Sequence, residues 1–553
     1  MIAYPVRHQH DHNLNSFMNR RSPTTTLQRR MHPKSVRYGV FFAAVFLLTA
    51  TPIFAQEVDL PREHWAYTFI ERLEVRGLVN GPLTRVKPWS RAQTVEMIRQ
   101  VQRALLHNPS ALSPTEKALF RQLQSDFSEE LGSPPNLPPE PHLLTIQDST
   151  LSVKLDGVFR ENIPSKHGSY FAPAELRSET TAGGIIRALV QPGLWIGVDV
   201  RNTAIRGGVV PPTERFDPSQ GTPFVTSGKN VFQDQAAAYF AFKLPWFRLQ
   251  IGRDAVWWGP SAREALTLSP NLPLFDLVRA DARWKRLRFT AVHAELRSHF
   301  GRKYLAAHRL EWEVKPGLYL AGSETVVYGN RPVEMAYLNP IMPYHVAEHH
   351  LGDLDNNNIS FEAWWRVRPG LAVYGEFFID DMTLSEPLFK YWGNKFAFSA
   401  GSHWVNPLGI SDSDFTLEYA RIEPFVYTHY DSINRYQHYN RSVGHWLGPD
   451  GDDWNLAFSR YFGRDLRVQL AFTQTRKGKG SLNVAHTQAD SDTKTFLEGV
   501  VERRRVLHFG LRQQLWRDVF ITLRYEKWWV HNPHRELGNA SGRAFLASLY
   551  VNY

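Results

Sequence analysis

Arg253, Asp254, Trp257, Trp258 and Asn271 fall in one irregular stretch, Gly252 to Asp281, which reads GRDAVWWGPSAREALTLSPNLPLFDLVRAD. Two charges beside two adjacent indoles are a carbohydrate-binding inventory. Rings stack on the C–H faces of sugars, and planar polar groups bond hydroxyls and uronate carboxylates. Arg253 suits an anionic sugar better than Asp254, because a guanidinium offers a planar fork of donors. In extended backbone Trp257 and Trp258 point to opposite sides, so one can pack into a wall while the other faces a polar interior. Gly259 and Pro260 would fix the turn that presents them. A mere connector gains nothing by exposing Trp. The stretch is therefore expected to fold onto or into a larger β-structure, and a packed corner without a ligand is the competing reading. Trp364 and Arg366, on the polar side of an alternating run, extend the same inventory.

Other groupings carry less. His345 and His349 would share one face of a helix, with His350 beside them, and such a pair can hold a metal. They follow the loop-like Asn339-Pro-Ile-Met-Pro343, and no carboxylate partner is dictated, so neither a metal nor a cofactor is assigned. Asp353, Asp355 and Asn356 to Asn358 lack the full ligand spacing of a calcium loop. There is no nucleophile elbow, P-loop or dinucleotide motif, and no spacing that implies a Ser-His-Asp triad. An enzyme, in the form of a membrane-embedded hydrolase, stays only as a distant alternative.

Composition bounds what these residues can belong to. The chain has 553 residues, 43% hydrophobic and 13% aromatic, and no cysteine; its mean hydropathy is −0.37. High aromatic content with negative hydropathy suits strands with one apolar and one polar face. Without cysteine, neither disulfides nor thiol chemistry is available. The net charge of +10 does not argue for nucleic acid, because residues 1–55 alone hold seven Lys/Arg against one Asp.

Residues 1–55 read as a disordered lead followed by a secretory signal. Met31 is a plausible start, Lys34 and Arg37 form a basic region, and Gly39 to Ala50 is the apolar run. Cleavage is expected near Ala55. No later run reaches the roughly 20 apolar residues of a spanning helix. If the exported protein crosses a membrane, it must do so as strands. Residues 56–132 are expected to form a small periplasmic helical domain. Trp65, Phe69, Ile70 and Leu73 recur at helical spacing, Ser90 is an N-cap, and Ser113-Pro-Thr-Glu116 has capping-box spacing. Residues 133–148, with five prolines, read as a stiff linker.

From 149 to 553 the pattern changes to strands of about ten residues with period-two alternation. Ile359, Phe361, Ala363, Trp365 and Val367 oppose Ser360, Glu362, Trp364, Arg366 and Arg368. Three tight turns repeat one chemistry, at Pro192-Gly193, Pro316-Gly317 and Pro369-Gly370, where Gly supplies the positive φ of a type II turn. Longer polar stretches lie between, at 204–232, 329–356, 428–451 and 476–500. Short turns on one side and long loops on the other predict an antiparallel transmembrane β-barrel of about 18 strands. Phe545, Ala547, Leu549, Val551 and Tyr553 alternate to a terminal aromatic. That ending resembles the assembly signal of bacterial outer-membrane proteins, which implies outer-membrane lipid and the barrel-assembly machinery as partners.

The chain resembles the Wzi-type capsule-assembly family of outer-membrane proteins. The resemblance rests on His64-Trp-Ala-Tyr67 with Ile70-Glu-Arg-Leu73 and Gly77; Lys87-Pro-Trp-Ser-Arg91; Gly252-Arg253 with Trp258-Gly-Pro260; Leu266-Thr-Leu-Ser269 with Asn271 and Pro273; and Tyr337-Leu-Asn-Pro340 with Asp353-Leu-Asp-Asn356. The family usually has Gly where this chain has Ser261. The resemblance implies an 18-stranded barrel whose periplasmic mouth is closed by the N-terminal helices. It also implies a lectin-like role in attaching capsular or other exported polysaccharide at the cell surface. A porin or channel is the alternative that the same polar lumen would suit.

Overall fold

The computed structural model describes residues 56–552 apart from 81–84, 149–150, 172, 209–220, 228–229, 262 and 271. The lead, the signal and its cleavage site, Asn271 and the terminal Tyr553 lie outside the described residues.

Eighteen antiparallel strands form the wall: β1 (Ser152–His167), β2 (Glu175–Gln191), β3 (Leu194–Gly207), β4 (Asn230–Leu244), β5 (Phe247–Asp254), β6 (Phe275–Trp284), β7 (Leu287–Leu296), β8 (Lys303–Lys315), β9 (Leu318–Gly329), β10 (Asn356–Arg368), β11 (Leu371–Asp381), β12 (Lys395–Val405), β13 (Ser413–Ile422), β14 (Gly451–Phe462), β15 (Leu466–Lys477), β16 (Glu502–Trp516), β17 (Val519–His531) and β18 (Asn539–Asn552). Each pairs with the next in sequence, and β18 pairs with β1 from Asn552↔Val158 to Arg543↔His167, which closes the barrel. Closure leaves no unpaired edge, the condition for strands to cross a bilayer. Where β18 ends, Leu144–Gln147 continues its ladder along β1, so part of the expected linker is strand.

Alternation sets which side chains face in. On β10, Phe361 (54% exposed) and Trp365 (43%) point outwards while Ser360, Glu362 and Trp364 are buried inwards. On β18, Phe545 and Leu549 are exposed on the outer face. Exposed apolar side chains over a closed wall are what lipid would cover. The Pro-Gly turns form as read: Gly193, Gly317 and Gly370 have φ of 86°, 82° and 88°. Each follows a bulge at the same place in its hairpin.

Among the described residues, three helices precede the wall: α1 (Ala66–Val75), α2 (Arg91–His107) and α3 (Pro114–Asp126). Ser90 and Ser113 each close a full capping box, with Gln93 and Glu116. Gly77, at φ 84°, ends α1. The helices bury Phe69, Leu73, Trp89, Ile98, Leu123 and Phe127 among themselves. They dock on the end of the barrel that carries the short turns. Arg72 donates to Asp414 at 2.7 Å and to the Asn406 carboxamide oxygen at 2.8 Å. The Ser113 hydroxyl bonds Asp412 at 2.5 Å.

Candidate functional site

The lumen is filled by chain folded into it from both ends. From the short-turn end comes the segment 85–89. From the opposite end the β5–β6 loop turns inwards, and Val86 and Lys87 pair with Trp258 and Trp257. Trp258 N donates to Leu268 O at 3.0 Å, so the loop doubles back as a narrow finger. Acids projecting from the far wall catch its tip. Glu376 of β11 accepts the N–H groups of Leu266 and Thr267 at 2.8 and 2.9 Å and the Thr267 hydroxyl at 2.7 Å. Ser261 donates to Glu418 of β13 at 2.5 Å, and its hydroxyl also accepts the Arg263 N–H at 3.0 Å. Arg263 pairs with Asp453 of β14 at 2.6 Å.

A third layer covers the finger. The β13–β14 loop drops into the barrel, where Tyr427 and Tyr436 donate to the carbonyls of Leu266 and Thr267, both at 2.8 Å. Trp258, Leu266, Leu268, Phe378, Tyr427, Tyr436 and Val443 form one apolar cluster inside the barrel. Burying this much apolar surface in a lumen otherwise lined by acids and arginines holds the layers together without a membrane.

The loop thus shapes the interior, but the residues expected to touch a ligand have other occupations. Trp258 is fully buried in the lumen cluster, and Trp257 is 6% exposed within the helical cluster, beside Tyr67 at 5.8 Å and Lys87 at 5.7 Å. The two rings do diverge, but into two cores, so neither presents a face to a sugar. Arg253 and Asp254 also point to opposite sides, but Asp254 rather than the favoured Arg253 faces the lumen. Buried Gln250 fixes the register, so Asp254 turns inwards, bonded to Gln250 at 2.7 Å. Arg253 lies on the outer face with Ile251, held by both oxygens of Asp276 at 2.7 Å. Trp364 lies under the Arg85 guanidinium at 4.5 Å. Arg366 donates to the α1 carbonyl of Glu74 at 2.8 Å. These two are docking points for the helices. Gly259, at φ 150°, has no room for a Cβ, which would lie 2.7 Å from that of Ala265.

Two polar arrangements remain. A cavity of about 140 Å³ separates the segment Val58–His64 from the wall and is lined by Asp59, Arg62, Glu63, Arg187, Arg201 and Asp254. Beside it the ligand atoms of Glu129, Glu140 and His142 lie within 4.8 Å of one another. Arg91 and Arg187 donate to Glu140 at 2.8 and 3.0 Å, and Lys154 sits on Glu129. Fixed cations therefore already neutralise that cluster.

The second arrangement opens towards the long-loop mouth. Arg504, facing inwards from β16, lies 5.3 Å from the rings of both Trp446 and Trp528. Tyr170 stacks on Trp528 at 5.7 Å and on His534 at 5.4 Å. Glu526 accepts from the Trp528 indole at 3.0 Å and bonds His508 at 3.2 Å. Trp446 is 37% exposed. This is the ring-plus-arginine inventory sought in the β5–β6 loop, assembled from four distant segments. Sequence reasoning missed it because only Trp446 lies in a stretch singled out, 428–451. The available signal was the inward parity of Arg504, Glu526 and Trp528.

Comparison with known proteins bears on the whole. The family described as capsule assembly protein Wzi matches residues 345–542. No curated protein matches the sequence. Among solved structures, Wzi of Escherichia coli, an outer-membrane protein involved in group 1 capsule assembly and described as a carbohydrate-binding β-barrel, aligns with a TM-score of 0.57 at 13% identity. The alignment covers 89% of this chain and 99% of that one. OccAB1 of Acinetobacter baumannii aligns at 0.43 and 10% identity over 72% of this chain and 96% of its own, too distant to carry an argument. Of the motifs that carried the resemblance, only Asp353-Leu-Asp-Asn356 falls inside the matched span. The family match and the earlier motifs are therefore separate signals that agree: residues 345–542 carry the Wzi capsule-assembly signature, and the chain folds as the 18-stranded barrel that the family resemblance implied.

Proposed function

We propose that this protein sits in the outer membrane, after removal of a signal peptide near Ala55, and holds capsular or another exported polysaccharide at the cell surface. The short turns and the helices face the periplasm, and the long loops face outwards. Sugar rings stack on Trp446 and Trp528, which Tyr170 backs, and Arg504 takes an anionic group. The β5–β6 finger with Trp257 and Trp258 supports this surface from below. The protein binds its polymer and does no chemistry on it. The observation that carries the reading is the filled lumen with an open aromatic-and-arginine face at one mouth. A pore needs the lumen that Trp258, Tyr427 and Tyr436 occupy, whereas a surface anchor does not.

The experiment is polymer retention in a strain lacking the gene, complemented with the wild type or with Trp446→Ala/Trp528→Ala. The wild type should restore cell-associated polysaccharide. The variant should insert equally well and release polymer into the medium. Equal retention by both would move the binding face elsewhere on the long loops.

A further inference from the structure

The β9–β10 loop does not hang free. Its two helices, α4 (Met335–Leu338) and α5 (Tyr344–Leu351), fold against the outer side of the wall. Tyr337, Tyr344 and Ala347 pack on Tyr304, Ala306, Val326 and Tyr328. The stretch that follows the loop-like Asn339 to Pro343 is helical. Pro343 supplies its N-cap position, and the wall supplies its partner: Glu324 of β9 accepts the N–H groups of Tyr344 and His345 at 2.8 and 2.6 Å. A carboxylate there also meets the positive end of the helix dipole. At the other end Gly352, at φ 100°, and Asp353, at φ 55°, turn the chain back, and the Asp353 N–H closes on Glu348 O at 3.1 Å. Both ends of α5 are pinned to backbone or wall.

This anchoring fixes the outward face. His345 and His349, four residues apart, bring their Nε2 atoms to 3.1 Å. The left-handed turn at Gly352 and Asp353 places the Asp353 carboxylate 2.6 Å from His349 Nδ1. A carboxylate at Nδ1 holds that proton and turns the Nε2 lone pair outwards, towards His345. That is the arrangement by which a second-shell acid orients a metal-ligating imidazole. The sequence gives two reasons against a metal here, the loop-like Asn339 to Pro343 before the pair and no dictated carboxylate; the pair nonetheless lies on a helix, and Asp353 supplies the carboxylate.

We propose that His345 and His349 bind one divalent transition-metal ion on the outer face of the barrel, with Asp353 as the positioning residue for His349. Two imidazole ligands select a borderline ion such as zinc, copper or nickel over calcium or magnesium, which prefer oxygen. The exposed face leaves the remaining coordination positions to water or to an external oxygen ligand. Because α5 is already held at both ends, the ion pays little to order its ligands.

The test is titration of ZnCl2 into the detergent-solubilised full-length protein, without a polyhistidine tag, in competition with a chromogenic chelator. His345→Ala/His349→Ala should bind one equivalent less than the wild type. Asp353→Asn should keep the equivalent but weaken it by roughly ten-fold or more. Calcium should not compete. Equal zinc uptake by the wild type and the double variant would overturn the site and leave a plain imidazole–imidazole hydrogen bond. Loss of the equivalent in Glu140→Gln/His142→Ala but not in His345→Ala/His349→Ala would place the ion in the acidic cluster instead. Unchanged affinity in Asp353→Asn would remove Asp353 from the proposal.

Discussion

The Glu376 carboxylate, reaching inwards from β11, accepts the backbone N–H of Thr267 at 2.9 Å. The two residues are brought together only because the β5–β6 loop crosses the lumen, and this contact fastens the tip of the loop. Glu376→Ala strands two buried N–H groups, at about 1–3 kcal/mol for each unsatisfied donor. The variant should insert and keep its strand signal, but its tryptophan-reported transition should fall to lower temperature. An unchanged transition would mean that the finger is held by apolar packing alone.

Trp258→Ala removes a fully buried indole from the lumen cluster and should cost about 3–5 kcal/mol. Trp257→Ala acts on the other core and should loosen the helices against the wall. Thermal unfolding in detergent separates the two, because only Trp257→Ala should increase proteolysis of residues 56–143 below the main transition. If either variant keeps full stability yet loses polymer, that indole is a ligand contact rather than a core residue.

Those two tryptophans show what was legible in the chain and what was not. Strand parity, the Pro-Gly turns and the Ser90 and Ser113 caps are local, and each could be read from neighbours within a few residues. The inward turn of Trp364 on β10 followed from the same parity. Its role did not, because Arg85, which lies over it, is almost 300 residues away. Likewise nothing near Trp258 announces that Tyr427 and Tyr436 will roof it. The start of α5 carries no cap in its own sequence. Glu324, on another strand, caps it.

Asp126, at the end of α3, gives the helices a pH dependence. Burial, reinforced by Asp518, pushes its carboxyl up to about 7, although Trp65 donates to it at 3.0 Å and Arg517 lies 3.4 Å away. A carboxyl raised above its unfolded value contributes stability in its protonated form. That contribution is complete below about pH 4 and is lost as pH rises through about 7. Hydrogen exchange of α3 amides should therefore speed up between about pH 4 and 7 beyond the intrinsic rate. Asp126→Asn, a mimic of the neutral acid, should flatten the profile.

Deleting Val551, Asn552 and Tyr553 removes the rungs that join Val551 to Val519 on one side and to Phe159 on the other. The wall then cannot close at the short-turn end. Outer-membrane fractionation should show the truncated chain degraded or left in the periplasm. Normal insertion would mean that closure does not need the last rungs.

The central claim is that the open face around Arg504 binds polysaccharide, and calorimetric titration tests it most directly. Polymer purified from the native host, sheared to short chains, is titrated into detergent-solubilised protein. Saturable binding is expected for the wild type. At about 1 kcal/mol of stacking per ring, Trp446→Ala/Trp528→Ala should weaken it roughly thirty-fold. No saturable binding by the wild type, or equal affinity in the folded variant, would contradict the account.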